Sequence, residues 1–458
     1  MSDSLPKYAP KIPVAAIVLA AGLGTRMKSD LPKVLHPLAG RPMINHLLAT
    51  VETLSPERVV VVVGPEGEAV TRAVAPYPTQ LQSPALGTGH AVMAALPALE
   101  GFTRGTVLTL AGADPFVSEA TLRAMLEKRE EGAAVVVVGF RPADPARYGR
   151  LMVGAGHLYR IIEYAEATPE QRAIDLCNGG YMAIDAALLP ELLGDLSNQN
   201  AKGEYYLTDL VEAAHKRGLR AAVVEAGPEE VMGIDTRAGL AQGEAMVQRR
   251  LRAAAMENGA TLIDPSSVHL CWDTKLGRDV TIGPFCVFGP GVTIGDGVEI
   301  RAFSHIEGAV VEAGAIIGPY ARLRPGARVG RDAHIGNFVE VKNTVIGAGA
   351  KANHLAYLGD AEIGAGANIG AGTITCNYDG FFKEQTRIGA GAFIGSNSAL
   401  VAPVSIGEGA IVAAGSVITR DVPADALAIA RGQQAEKPGR AKAFRERRAA
   451  EKAARKGK

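Results

Sequence analysis

The sequence predicts an α/β protein in two parts: a mostly parallel sheet covered by helices, followed by a parallel β-helix. From residue 282 to residue 418 an aliphatic or aromatic residue returns at every sixth position, and before that stretch short apolar runs alternate with helix-length segments. A period of six suits neither an isolated helix nor an open sheet. It suits a solenoid in which each short side points one large residue inward and turns on small residues. Alternating strand and helix segments imply parallel strands joined by crossovers, with ligands bound at the carboxyl ends of the strands.

Taken in order, Val14-Ala-Ala-Ile-Val-Leu-Ala-Ala21 is a continuous apolar run, as a strand buried on both faces requires. Further strands are expected at 59–63, 107–111 and 134–139, with helices at 43–54 and 119–129. Residues 238–257 carry helix formers and an Arg-Arg-Leu-Arg stretch, so a helix is expected to link the two domains. The expected division is a domain over 1–237, a linker helix over 238–258, a solenoid over 259–436 and a tail over 437–458. In the solenoid a first run reads Ile282, Phe288, Ile294, Ile300, Ile306. A second reads Ile317, Leu323, Val329, Ile335, Val341, and a third reads Ile388, Ile394, Leu400, Ile406, Val412, Ile418. The runs slip between Ile306 and Ile317, Val341 and Ile346, Ile346 and Ile363, and Ile369 and Ile388, where loops or bulges are expected.

Apolar residues make up 47% of the chain, enough for real cores, and the formal charge is zero, so no global field favours nucleic acid or a membrane surface. The last 22 residues, from Lys437, depart from this with ten Lys/Arg and two Glu, and read as a solvated, partly helical tail. The opening Met1-Ser2-Asp3-Ser4 lacks the charged-then-apolar pattern of a signal peptide, and no apolar stretch reaches membrane-spanning length. Cys177, Cys271, Cys286 and Cys376 show no paired spacing for zinc or a redox motif. A cytoplasmic protein is expected.

Chemistry enters where the first strand gives way to Gly22-Leu-Gly-Thr-Arg26. Glycines there let backbone N–H groups approach a phosphate, and Arg26 adds charge. The longer stretch from Leu19 to Met27, then Leu31-Pro-Lys-Val-Leu-His36 with Lys33, resembles the signature of sugar-phosphate nucleotidyltransferases. Leu86-Gly-Thr-Gly-His-Ala91 resembles their nucleobase-recognising loop; Tyr148-Gly-Arg150, Glu163, Asn178-Gly-Gly180 and residues 203–209 follow in the family's order. The resemblance implies a Rossmann-like mixed sheet, with catalysis by Arg26, Lys33 and Mg²⁺. It implies contacts to the nucleotide sugar from Leu19, Ala20, Ala21, Gly22, Lys33, Gln82, Gly87, Thr88, Gly149, Glu163, Asn178 and Asp235. One departure stands out. The family's metal-binding Asp follows glycine at once, whereas here Gly112-Ala113-Asp114-Pro115 places the carboxylate one residue late. In extended backbone such a shift turns the side chain to the opposite face. The second metal position, usually Asn, is Asp235. Metal ligation by Asp114 and Asp235 is therefore expected, with uridylyl transfer retained but weakened.

In the solenoid, function lies in the residues that interrupt the pattern. They cluster: Arg322-Leu-Arg324-Pro-Gly, Glu340-Val-Lys342, Asn353-His354-Leu-Ala-Tyr357-Leu-Gly-Asp360, Asn368, and Cys376-Asn377-Tyr378-Asp379-Gly380 with Lys383. His354 suits a general base that takes a proton from an amine attacking a thioester, and Arg324, Lys342 and Lys383 suit a phosphate grip. This order resembles the acyl-CoA-dependent hexapeptide acetyltransferases. From about residue 14 to residue 432 the whole chain resembles the bifunctional N-acetylglucosamine-1-phosphate uridyltransferase/glucosamine-1-phosphate N-acetyltransferases. That resemblance implies a left-handed solenoid and His354 as catalytic base. It implies glucosamine 1-phosphate bound by Arg324, Lys342, Tyr357, Asn368, Asn377, Tyr378 and Lys383, and acetyl-CoA by Ala371, Ser396, Ala414 and Arg431. UTP is the other co-substrate, and a homotrimer with acetyltransfer sites between neighbouring solenoids is expected, without nucleic-acid or membrane partners. The alternative is an acetyltransferase whose N-terminal domain binds a nucleotide sugar but turns it over poorly.

Overall fold

The computed structural model describes residues 12–145, 147–200 and 202–456. The opening residues read for a leader, and the last two of the basic tail, lie outside them. The chain divides into two compact units, residues 1–251 and 252–458, and the helix Arg237–Glu257 runs across the division.

The first unit is built on a nine-stranded sheet. Its strands are β1 (Val14–Ala20), β2 (Arg58–Val63), β3 (Thr79–Leu81), β4 (Thr106–Ala111), β5 (Val135–Phe140), β6 (Arg150–Gly154), β7 (His157–Ile162), β8 (Cys177–Asp185) and β9 (Ala221–Glu225), in the order β3-β2-β1-β4-β8-β5-β9-β7-β6. β1 pairs in parallel with β2 and β4, while β8 runs antiparallel between β4 and β5, so the sheet is mixed. Successive residues of β1 feed opposite cores. Val14, Ala16 and Val18 pack with Ile44, Leu47 and Leu122 on one side; Ala15 and Ile17 pack with Val92, Leu192 and Leu210 on the other. That two-sided burial is why the strand reads as one apolar run. Each fully buried Val, Leu or Ile contributes about 1.5–3 kcal/mol. The expected strands and helices form within two residues of their expected bounds, as in Met43–Glu52 and Glu119–Glu130.

The second unit is a hexapeptide-repeat parallel β-helix of the left-handed kind, with faces of ten, eight and eight short parallel strands among the described residues. Along the first face the inward residues pair Ile282, Ile300, Ile317, Ile335, Ala352, Ile369, Ile394 and Val412, all nearly or fully buried. The second face carries Phe288, Ile306, Leu323, Val341, Leu358, Thr375, Leu400 and Ile418; the third carries Ile294, Val311, Val329, Ile346, Ile363, Ile388 and Ile406.

All the slips fall on one corner, between the second face and the third. Ile306 to Val311, Val341 to Ile346 and Leu358 to Ile363 are one residue short of six, so these are tightened corners rather than bulges; Thr375 to Ile388 is long and forms a loop. Shortening a corner leaves backbone groups to satisfy, since a buried N–H without a partner is costly. Buried hydroxyls do this. Thr344 Oγ1 accepts from the Ala361 N–H at 3.1 Å, and Thr375 Oγ1 accepts from the Gly359 N–H at 2.8 Å.

Candidate functional sites

The first site lies at the carboxyl ends of the parallel strands. β1 ends in Leu19 and Ala20, and the chain then turns through Ala21, Gly22 and Gly24, the last at φ 62°. A Cβ on Gly24 would lie 2.6 Å from the Lys33 Cβ, so only glycine lets the two loops approach this closely. Two single turns of 3₁₀ helix, Thr25–Met27 and Lys33–Leu35, then present Arg26 and Lys33 to the same carboxylate: Asp235 accepts from Lys33 at 2.7 Å and pairs with Arg26 at 2.9 Å. Burial pushes the Asp235 carboxyl up, but Lys33 and Arg26 outweigh it and hold the carboxyl below its ordinary range.

After β4 the chain turns, with the Asp114 N–H donating to the Ala111 carbonyl at 3.0 Å. Because this is a turn and not extended strand, Ala113 packs into the core cluster that holds Val34 and Ile44, and the Asp114 carboxylate lies against Gly233, two residues before Asp235. The departure in sequence therefore does not remove the carboxylate from the site. The Ile234 N–H donates to the Ala113 carbonyl at 3.0 Å, setting Asp235 beside that turn. The buried Tyr181 hydroxyl donates to the Glu230 carbonyl at 3.0 Å and, more weakly, to that of Asp114 at 3.4 Å. Burial pushes the Asp114 carboxyl up to about 7, with Asp235 raising it further against the pull of Lys33. No cluster of three or more metal-capable side chains exists among the described residues, but two carboxylates near enough for Asp235 to raise Asp114 suit a Mg²⁺ that keeps water and phosphate oxygens as its other ligands.

Two further groups sit on the same rim. Gln82, nearly buried, donates to the Gly87 carbonyl at 2.9 Å, and Thr88 Oγ1 accepts from the Leu207 N–H at 3.1 Å, so the 86–89 loop is held against residues 205–207. Glu163 accepts from the Thr208 hydroxyl at 3.4 Å, and burial raises its carboxyl. The Asn178 N–H donates to the Gly149 carbonyl at 2.8 Å, and the register of β8 shifts between Asn178 and Met182. Arg150, from the Tyr-Gly-Arg motif, is only 2% exposed; its guanidinium donates to the carbonyls of Pro145, Tyr148 and Arg172 and so shapes the loop.

The second site is written on the outside of the solenoid. Arg324, Glu340, Lys342 and Tyr357 all belong to the second face, and Arg324 pairs with Glu340 at 2.7 Å. The loop after Thr375 brings Asn377 and Lys383 to the far edge of that face. There Asn377 donates to Asp360, and Lys383 lies beside Lys342, whose charge lowers the Lys383 ammonium from its ordinary range. Tyr378 closes the loop by donating to the Gly380 carbonyl at 2.6 Å.

His354 occupies the near edge, two residues past the inward Ala352. Counting two past each inward residue of the first face gives Asn337, His354, Ala371, Ser396 and Ala414, which stack coil upon coil; the Leu355, Gly372, Asn397 and Gly415 N–H groups tie neighbouring coils along this line. Asn337 Oδ1 lies 2.6 Å from His354 Nδ1, and the Arg431 guanidinium donates to the Ala414 carbonyl at 2.6 Å. The next position in each coil is left-handed. In the lower coils it holds Phe285, Phe303, Tyr320 and Phe338, whose rings stack at 5.0, 4.8 and 5.1 Å; above Leu355 it holds Gly372, Asn397 and Gly415. An aromatic ridge thus ends beside His354 and small or polar residues follow. Asn368 is not on the face of Arg324, Lys342 and Tyr357: it lies on the first face, in register with Phe393 and with Lys351 of the strand that ends in His354. Asn337 and Asp360 were not singled out as site residues in sequence. Register counting would have found Asn337, but nothing in the motif marks what Asp360 holds.

A nucleotide-binding mixed sheet followed by a hexapeptide solenoid with a histidine site defines a two-part transferase. Residues 16–202 match the MobA-like NTP transferase domain, residues 273–308 and 308–343 match the bacterial transferase hexapeptide, and residues 385–420 match the hexapeptide repeat of succinyl-transferase. The bifunctional protein GlmU of Paramagnetospirillum magneticum is 60% identical over 96% of this chain and 98% of its own. The bifunctional proteins GlmU of Sphingopyxis alaskensis (56%, over 96% and 98%) and Rhodospirillum rubrum (60%, over 94% and 97%) are similarly alike. The chain belongs to the GlmU family. It is a bifunctional enzyme of UDP-N-acetylglucosamine synthesis, with uridylyltransferase and acetyltransferase activities.

Proposed function

We propose that the solenoid acetylates glucosamine 1-phosphate and that the sheet domain then uridylylates the product, with the residues acting as follows. Asn337 accepts from His354 Nδ1–H, which fixes the tautomer and leaves the Nε2 lone pair free. The glucosamine amine attacks the acetyl thioester carbon, Nε2 takes the amine proton, and coenzyme A leaves as the thiolate. Arg324, Lys342 and Lys383 grip the sugar phosphate, while Tyr357, Asn377 and Tyr378 read its hydroxyls. Ala371, Ser396, Ala414 and Arg431 line the lane above His354 that receives acetyl-CoA. Asn368, on another face, fits a homotrimer in which a neighbouring solenoid completes the site. The observation that carries this reading is His354, held by Asn337 at the edge of the face bearing Arg324, Lys342 and Tyr357.

At the sheet, the phosphate oxygen of N-acetylglucosamine 1-phosphate attacks the α-phosphorus of UTP and pyrophosphate leaves. Arg26 and Lys33 neutralise the triphosphate, for which Asp235 is their competitor. Gly22 and its neighbours Leu19, Ala20 and Ala21 bring backbone against the nucleotide. Gln82, Gly87 and Thr88 hold the base, and Gly149, Glu163 and Asn178 hold the sugar. Asp114 and Asp235 would hold Mg²⁺, which supplies charge neutralisation at the phosphates. Both reactions are assigned to the cytoplasm; among the described residues no helix is long and apolar enough to cross a membrane.

Pyrophosphate release from UTP plus N-acetylglucosamine 1-phosphate, run beside coenzyme A release with glucosamine 1-phosphate, tests both halves. Activity in both assays is expected. Coenzyme A release alone would defeat the assignment of Asp114 as a working metal ligand.

A further inference from the structure

Beside the buried Thr344 and Thr375 hydroxyls, the corner at which the solenoid slips is tied on its outer side by one carboxylate. Asp360 accepts from the Asn343 amide of the coil below at 2.6 Å and from the Asn377 amide of the loop above at 2.5 Å. Its own backbone joins the ladder, with its N–H donating to the Lys342 carbonyl at 3.1 Å and its carbonyl accepting from the Thr386 N–H at 3.2 Å. Asn343 and Asp360 both stand at left-handed positions, φ 44° and 48°, which Asn and Asp tolerate better than most residues. Three successive levels of the solenoid are therefore tied at the point where Lys342 and Lys383 meet.

We propose that Asp360 is a positioning residue for acetyl transfer: it clamps the 377–385 loop onto the coil bearing Lys342, so that Lys342 and Lys383 stand side by side as one grip for the sugar phosphate. This rests on the reading of the solenoid as the glucosamine 1-phosphate site. Two like charges would otherwise drive the loop away, and a carboxylate between them offsets that repulsion. Lys342 lowers the Lys383 ammonium and Asp360 supports it, with Tyr357 also facing the pair. On its outer side Asp360 lines a cleft with Arg328, Glu362 and Glu384, the other charged groups of the corner.

Charge and positioning predict opposite signs. A carboxylate near a phosphate repels it, so by Coulomb attraction alone Asp360→Asn would lower the KM for glucosamine 1-phosphate. If Asp360 positions the grip, that KM rises. In the full chain, coenzyme A release is measured from pH 6.5 to 9.5 for Asp360→Asn and Asp360→Glu, with thermal unfolding of the solenoid followed by circular dichroism as the folding control. For Asp360→Asn the expected result is a KM for glucosamine 1-phosphate about tenfold higher, with kcat and the KM for acetyl-CoA changed less than about threefold. The alkaline limb of kcat/KM should move about one unit down in pH, because the lysine pair loses its counter-charge, and Asp360→Glu should restore most of the loss. Asn343→Ala, which cuts the lower tie without removing charge, should raise the same KM by about threefold and leave the limb in place. A lowered or unchanged KM in Asp360→Asn, or equal losses for both substrates with an unmoved limb, would overturn the proposal. Calorimetric binding of glucosamine 1-phosphate to wild type and Asp360→Asn separates the two readings. Wild-type binding without turnover would defeat the acetyltransfer reading alone, and equal affinities would defeat the clamp.

Discussion

Arg26, Lys33, Asp114 and Asp235 come together at the end of a sheet although Lys33 and Asp235 stand 202 residues apart. Arg324, Lys342, Tyr357 and Lys383 gather on neighbouring coils, because a solenoid brings one position back into line at each level. The sheet collects its site by topology: loops that share nothing in sequence meet because the strands end together. The solenoid collects its site by exception, wherever a repeat that fixes the backbone admits a residue the repeat does not need. A site of the first kind is spread over many loops, each holding a little of the substrate. A site of the second kind is a short list of outward side chains on a backbone indifferent to them.

If the comparison holds, the two sites fail separately. His354→Ala should cut coenzyme A release by about a thousandfold, as loss of a general base does, while pyrophosphate release stays within twofold of wild type. A parallel fall in both activities would show that the halves are coupled. Lys33→Ala should cost pyrophosphate release about a hundredfold with coenzyme A release unchanged, the usual scale for one preorganised cation at a transferring phosphoryl group. Asp114→Ala should lower uridylyl transfer about tenfold and raise the Mg²⁺ concentration for half-maximal rate by a similar factor. Turnover and Mg²⁺ demand near wild type would show that the late carboxylate binds no metal.

The smaller effects are on stability. Thr375→Val keeps the shape of a buried side chain but strands the Gly359 N–H, so the solenoid should lose about 1–3 kcal/mol in denaturant unfolding. A loss below the error of that measurement would mean the tightened corner relaxes without its hydroxyl. Asp209, at the start of the helix Asp209–Lys216, is pushed up to about 6 by burial, with Glu212 and Glu166 adding to it. A carboxyl raised in the folded state disfavours folding once ionised, so this contribution is absent near pH 4 and is fully felt above pH 6. Asp209→Asn should therefore gain about 1 kcal/mol at pH 8 and nothing at pH 4, a figure reduced for the favourable charge at a helix start and for partial exposure. A gain of the same size at both pH values would assign it to something other than ionisation.

The solenoid was legible in sequence almost coil by coil, because one inward residue in six is a pattern that no turn or loop imitates. The runs read from the sequence passed over Val311 and Leu358, which border shortened corners, and Ala352 and Thr375, which are not large aliphatics and stand close to the functional residues His354 and Asn377. The sheet domain showed its parallel strands as apolar runs and hid its antiparallel ones. β6 and β7 expose much of one face, and β8 is broken by Gly179-Gly180, so neither reads as a continuous core strand. Asp114 was ambiguous for a different reason: whether a one-residue shift reverses a side chain depends on a turn, and the turn is set by the Asp114 N–H bond to Ala111, not by the motif. Arg150, part of a stretch that follows the family's order, is structural, because its guanidinium is held by carbonyls of its own loop (Pro145 and Tyr148) and of Arg172.

From Ile282 onward, confinement of every shortened or lengthened step to the corner between the second and third faces has an evolutionary consequence. Residues can be gained or lost there without disturbing the count along the other two edges, so loop length becomes a free variable while the scaffold keeps its phase. A solenoid of this design can acquire a new acceptor sugar by trial at one hinge point, and a lineage that lengthens or trims the 377–385 segment explores substrate range without wagering the fold.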